Sequence, residues 1–277
     1  MNYRHIYHAG NFADTFKHII LIALIQSLMR KENAFCYLDT HAGIGCYDLH
    51  SEFAQKSKEF ENGITKIIAA ENPPSLIQDY LTCVKKLNVA PELRYYPGSP
   101  YFVKCFLRPQ DRMILAELHP EDVKTLKHFF KQDKHIAIHH QDGYQSLKAH
   151  LPPKERRGLI LIDPAYEKPD ELLSLPAILA SAIKRFETGI YVVWYPIKNR
   201  LQLARFYREL KSKIQRPNLI TEFCIHAEAM SSTQLIGCGM VIINPPWQLT
   251  PLLEKNLTWL WNTLRTPNQG QFVIQNE

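Results

Sequence analysis

Leu159-Ile160-Leu161-Ile162-Asp163-Pro164-Ala165-Tyr166 opens on an unbroken apolar run and closes on an acid, a proline and an aromatic ring. A strand buried on both faces reads this way, because a parallel strand covered by helices has no solvent side to carry polar residues. Four other runs repeat the pattern: Ala34 to Asp39, Met113 to Glu117, Ile136 to His140 and Ile190 to Tyr195. Helix-length segments lie between them, notably 121–131, 171–186 and 201–214. The alternation predicts right-handed β-α-β units and an α/β fold, a doubly wound and mostly parallel sheet of Rossmann-like form.

Upstream of the first run, 13–31 predicts a helix. Phe16, Ile19, Ile20, Ala23, Leu24 and Leu28 make one apolar face, with Asn11 and Asp14 favouring its start. Near the other end, 219–225 and 240–244 predict a closing antiparallel hairpin and 252–264 a final helix. Residues 51–93 break the rhythm. They read as helical without a strand and are divided by Pro73-Pro74, so a small helical insertion subdomain is expected within a single domain covering 1–277.

Composition narrows the classes only modestly. The 277 residues are 45% apolar and carry a net charge of +6, which leans toward a polyanion partner and excludes wholesale disorder. The six cysteines form no C-x-x-C pair, and no secretory leader opens the chain, so reduced thiols in a cytoplasmic protein are expected. The most apolar N-terminal run, Ile19 to Ile25, falls short of the ~20 residues that span a bilayer, so no membrane partner is expected. Twelve histidines are scattered, and His139-His140 lack the helical spacing that brings two imidazoles to one ion; no metal site is expected.

Ligands of open α/β sheets sit beyond the carboxyl ends of the strands. After the first run comes Asp39-Thr40-His41-Ala42-Gly43-Ile44-Gly45, whose glycines allow a close approach of backbone to ligand. Asp48 stands where a dinucleotide fingerprint needs its third glycine, and no acid ends a second strand ~20 residues on, which counts against nicotinamide. Glu117 ends the second run, where an acid can accept from both ribose hydroxyls. Gln141-Asp142-Gly143 follows the third, where a carboxylate can accept from an adenine amino group. Either acid alone is more often a solvated helix cap.

Asp163-Pro164-Ala165-Tyr166 closes the fourth run with the parts needed to methylate an amine. The lone pair of adenine N6 is delocalised into its ring. Two acceptors, the Asp163 carboxylate and the Pro164 carbonyl, favour a pyramidal nitrogen by bonding its two N–H groups and stabilise the developing charge. Proline restricts the turn, and Tyr166 can stack on an extruded base.

Taken together with Tyr3-Arg4-His5, His8-Ala9-Gly10-Asn11-Phe12-Ala13-Asp14, Lys17-His18, Pro97-Gly98-Ser99-Pro100 and Glu117-Leu118-His119-Pro120, these strand ends resemble the ribosomal RNA large subunit methyltransferase J family over nearly the whole chain. The resemblance implies a monomeric, S-adenosylmethionine-dependent class I enzyme. It implies methylation of N6 of one adenine of 23S ribosomal RNA, position 2030 in the usual bacterial numbering, on RNA free of the assembled subunit. It further implies that His18, His41, Gly43, Ser99, Glu117, Asp142 and Gly143 bind the cofactor, that Asp163, Pro164 and Tyr166 are catalytic, and that Tyr3, His5 and Lys17 meet the substrate. Ala165 departs from the family, which has a second proline there. The loss of one φ restraint is worth about 0.4–1 kcal/mol.

Two other strings compete for attention. Asn244-Pro245-Pro246-Trp247 looks more like an amino-methyltransferase motif than residues 163–166 do, yet it follows the last expected strand, away from the cofactor end. Between Lys198 and Arg216, seven basic residues face one acid, Glu209, a density that suits a phosphate backbone or simply a solvated helix. A DNA adenine-N6 methyltransferase would need the same catalytic residues, but no target-recognition domain of ~100 residues remains once the core is counted. A catalytically silent RNA-binding protein of this fold would have no need of Asp163.

Overall fold

The computed structural model describes residues 4–89, 91–198, 200–226, 235–266 and 270–276. Ten strands occur in them: β1 (Cys36–Asp39), β2 (Cys46–Asp48), β3 (Tyr95–Pro97), β4 (Arg112–Glu117), β5 (Ile136–His140), β6 (Gly158–Ile162), β7 (Ile190–Ile197), β8 (Asn218–Cys224), β9 (Gly237–Ile243) and β10 (Gln271–Asn276). The ten α-helices among the described residues are α1 (Phe12–Met29), α2 (Glu52–Ser57), α3 (Ile64–Ala69), α4 (Ser75–Lys86), α5 (Ser99–Lys104), α6 (Pro120–Phe129), α7 (Gly143–His150), α8 (Glu171–Arg185), α9 (Arg200–Lys213) and α10 (Leu249–Leu264).

Eight strands form one sheet in the order β10-β8-β9-β7-β6-β1-β4-β5. From β5 to β7 all neighbours are parallel, and the order reverses between β1 and β6. That reversal is the switch point where open α/β sheets receive ligands. The five apolar runs are its five parallel strands. The expected hairpin is β8 and β9, which pair antiparallel, and β9 inserts between β7 and β8. Two pairings escape the sequence pattern. β2 and β3 make a separate antiparallel ribbon that brackets the helices between 51 and 93, and β10 adds an edge beside β8. Three-residue strands carry too little periodicity to read.

The largest departure from expectation is α1. It starts where Asn11 predicts, with the Asn11 side chain accepting from Asp14 N at 2.9 Å. Its burial, however, is not confined to one face: every residue from Phe12 to Ile25 is buried. The sheet covers one side, while α4, α5 and α10 cover the rest. Thus one helix has the length and composition to cross a membrane, and 83% of it lies inside the protein. Polar Asp14, Lys17 and His18 are buried with it, facing the open end of the sheet. Ile20 has no exposed surface. Ile20→Ala should therefore cost about 2–5 kcal/mol in urea unfolding, as large-to-small changes in close-packed cores do; a loss below about 1 kcal/mol would mean that the site is loosely packed.

Candidate active site

A cavity of about 650 Å³ opens at the carboxyl ends of β1, β4, β5 and β6. Twelve of the thirteen residues singled out from the sequence line it: His5, Lys17, His18, His41, Gly43, Ser99, Glu117, Asp142, Gly143, Asp163, Pro164 and Tyr166. The thirteenth, Tyr3, lies outside the described residues.

The β1 turn is built from within. Asp39 is fully buried and accepts from Tyr37 OH and Ser99 Oγ, each at 2.7 Å, and from His41 N at 3.2 Å. The ribbon and α5 therefore deliver Ser99 to the cavity with its hydroxyl hydrogen already committed. Gly43 sits at φ 62°, and a side chain there would run into Tyr47 OH. Its N–H donates to Glu117 Oε2 at 2.8 Å, while His119 N donates to Oε1 at 2.8 Å. These two bonds fix the carboxylate of β4 across the turn of β1. Burial raises its affinity for a proton above that of an ordinary glutamate.

Asp142 caps α7, its Oδ1 accepting from Tyr144 N at 3.0 Å and Gln145 N at 2.9 Å. The cap reading and the ligand reading are compatible, because Oδ2 has no partner among the described residues. Beside it, Gly143 leaves no room for a side chain, which would meet Thr40 O and the His41 ring. Burial pushes His41 down to about 4, so the ring is neutral near pH 7. Thr40 Oγ1 donates to Leu161 O at 3.0 Å and lies 2.7 Å from His41 Nδ1. The imidazole thus donates from Nδ1 and keeps Nε2 as an acceptor. His18 lies deeper, 1% exposed, with Nδ1 2.9 Å from Tyr96 OH and its ring against Phe102.

At β6 the sequence named the parts but not their partners. Asp163 Oδ2 accepts from Lys17 Nζ at 2.6 Å, and the same ammonium reaches Asp14 Oδ1 at 2.8 Å. Asp14 Oδ2 takes His5 Nε2 at 2.9 Å and Gly10 N at 3.0 Å. Burial pulls the Lys17 ammonium down, but Asp14 and Asp163 outweigh it and hold the lysine well above its ordinary range. Burial likewise raises Asp14, and His5 and Lys17 reverse it, leaving the acid well below its ordinary range. Tyr166 adopts φ 54°, and its hydroxyl donates to Trp194 O. Its ring tilts against the Trp194 indole with centroids 5.9 Å apart.

Asp14, Asp39 and Trp194 were not singled out as site residues. Asp14 reads as a helix-start acid and Asp39 as a strand end; only the fold shows what each holds. Asn244 lies at the far end of the sheet. β9 runs against β7, so Ile243 pairs with Tyr191 at the start of that strand. Asn244 Nδ2 donates there to Glu187 O at 2.9 Å and Gly189 O at 2.8 Å, and Trp247 is 84% exposed.

An eight-stranded sheet with β9 reversed beside β7, acids at successive strand ends and a cavity at the switch point define a class I methyltransferase, the class whose methyl donor is S-adenosylmethionine. Residues 32–275 match the family described as ribosomal RNA large subunit methyltransferase D, RlmJ. The chain is 40% identical over 274 residues to ribosomal RNA large subunit methyltransferase J of Escherichia coli K12, covering 99% of this chain and 98% of that one. It is 40% identical over 276 residues to the protein of the same name from Haemophilus influenzae, with the same shares covered. A crystal structure of protein LPL1258 from Legionella pneumophila superposes with a TM-score of 0.85 at 37% identity, over 97% of this chain and 98% of that one. The chain belongs to this family of ribosomal RNA large subunit methyltransferases.

Burial pushes Asp39 up to about 6, from an ordinary value of 3.8. The folded protein therefore holds this proton more tightly than the unfolded chain does. Stability falls as pH rises from about 4 to about 6 and levels off above, a total of about 3 kcal/mol at 1.36 kcal/mol per pKa unit. Asn at this position does not titrate. Unfolding free energies of Asp39→Asn should gain on the wild type across that window, whatever constant offset separates them; a difference independent of pH would mean that burial does not strain the carboxylate.

Proposed function

We propose that the protein methylates N6 of a single adenine in 23S ribosomal RNA, adenine 2030 in the usual bacterial numbering. On this reading it acts as a cytoplasmic monomer, within one domain bearing the 51–93 insertion, on RNA free of the assembled subunit. The observation that carries it is Asp163-Pro164 at the open end of β6, in one cavity with Glu117 and Asp142.

The residues present suit S-adenosylmethionine. Glycines at 43 and 143 leave the backbone bare, Asp142 keeps an open carboxylate oxygen, and Glu117 is held in place by two N–H groups. Glu117 would take the ribose hydroxyls, Asp142 and Gly143 the adenine, and His18, His41, Gly43 and Ser99 the remainder. When bound, the cofactor supplies an electrophilic methyl group on its sulfonium sulfur. The protein's own contribution is to position the amine and stabilise its charge. Asp163 accepts one N6–H and the Pro164 carbonyl the other, which turns the nitrogen lone pair away from the ring. Tyr166 stacks on the base from a fixed position, since its hydroxyl is tied to Trp194 O. Lys17 holds the Asp163 carboxylate in orientation, and Tyr3 and His5 would meet the substrate.

Isotope-labelled cofactor with protein-free 23S RNA should yield N6-methyladenosine at one site; label on duplex DNA with none on RNA would reverse the substrate assignment. Asp163→Ala should lower turnover about 10²-fold or more while calorimetric cofactor affinity stays within a few fold. Near-normal turnover would remove Asp163 from the mechanism. Glu117→Ala should do the opposite and weaken cofactor binding first, which the same calorimetry reads.

A further inference from the structure

A base seated in the cavity leaves the phosphates on either side of it at the mouth. Lys168 and Lys198 stand among the lining residues there, both exposed, and no carboxylate pairs with either among the described residues. Lys198 lies just before α9, and the first turn of α9 is fastened to the rim of the cavity by Gln202 Nε2, which donates to Pro169 O at 3.2 Å.

The basic residues from 198 to 216 divide into two sets. Three are occupied by carboxylates: Arg200 by Glu222, Lys213 by Glu209 at 3.3 Å and Arg216 by Glu187. The others carry no such pairing among the described residues. α9 buries Leu203, Phe206 and Leu210. On the opposite side Leu201, Arg205, Arg208 and Ser212 recur at i, i+4, i+7 and i+11, with Lys211 next to them, and all five are exposed. The outward stripe is therefore cationic and uncompensated, and it begins at the cavity. From Arg200 to Lys211 α9 rises about 16 Å at about 1.5 Å per residue, long enough to meet several phosphates.

We propose that Arg205, Arg208 and Lys211, entered through Lys198, form the track that carries the RNA backbone on one side of the target adenosine. This rests on the RNA reading given above. Unbroken passage from the cavity mouth favours the substrate strand over an acidic protein, which would have no reason to begin at Lys198. Side chains on the outward stripe touch phosphate without reading sequence, so they govern affinity and its salt dependence and leave the chemical step alone.

The test compares full-length wild type with Arg205→Glu/Arg208→Glu/Lys211→Glu on a 23S RNA fragment. KM and kcat are measured across a salt series, together with cofactor affinity and thermal midpoint. The expected result is a rise in KM of at least about tenfold with kcat at saturating RNA and cofactor affinity unchanged. The slope of log affinity against log salt should fall by about two, at about 0.7–0.9 for each phosphate no longer neutralised. The alanine triple, which leaves the packing residues of α9 intact, should move both in the same direction by less, and an Arg205→Lys/Arg208→Lys/Lys211→Arg variant should restore wild-type behaviour. A methylating wild type whose charge-reversed and alanine variants keep its KM and salt slope would overturn the track alone. A wild type that transfers label to no RNA would overturn the RNA reading and the track with it.

Discussion

One buried ammonium joins the two halves of this site. Lys17 lies between Asp14, one turn back on its own helix, and Asp163, at the end of β6. A charge taken out of water is costly unless it is paired and hydrogen-bonded, and removing one partner from such a group leaves the other exposed to the full penalty. The fold therefore has to bring α1 and the β6 turn to one place. Asp14 extends the constraint to His5 and to the backbone at Gly10, so the N-terminal segment is tied to the same charge. Geometry at Asp163 is thereby set by a helix that precedes it by about 150 residues of chain.

The ends of β1 and β4 rely on a different kind of support. Asp39 contributes through what it holds: Tyr37, Ser99 and the His41 backbone converge on its carboxylate. Glu117 is fixed by backbone N–H groups from two separate loops. Neither arrangement depends on long flexible side chains, and both come from strand ends, where the backbone is held by its neighbours on each side. A cavity lined in this way gains from the rigidity, because little ordering remains to be done on binding.

Much of this was legible in advance, and the reasons differ by element. The five parallel strands announced themselves because burial on both faces demands unbroken apolar runs. Strand order puts the loops carrying Gly43, Glu117, Asp142 and Asp163 at the same end, and they line one cavity; His5, Lys17, His18 and Ser99 were named only by the family resemblance. What stayed hidden was pairing across long sequence distances. Lys17 reads as one more charge on a helix until Asp163 is beside it, and Asp39 reads as a strand end until Ser99 arrives from the far side of residues 51–93. The ribbon of β2 and β3 is too short to show a period. β10 alternates well enough, but a single edge strand after a long helix gives no hint of its partner. Asn244 makes the converse point, since its string is persuasive and the reversed direction of β9 takes it to the wrong end.

The envelopment of α1 has a consequence for how the protein comes into being. This helix is an early part of the chain, yet α10 and β9, which help to cover it, are among the last parts. During synthesis its apolar surface therefore emerges with only α4 and α5 following soon after, and the cover remains incomplete until translation has nearly finished. An amphipathic helix could wait with its polar side to water; the turns from Ile19 to Ile25 are apolar all round and have no such side. Chains stalled or truncated before α10 would present a helix of membrane-like composition to the cell, with the aggregation hazard and the demand for chaperone capture that this entails.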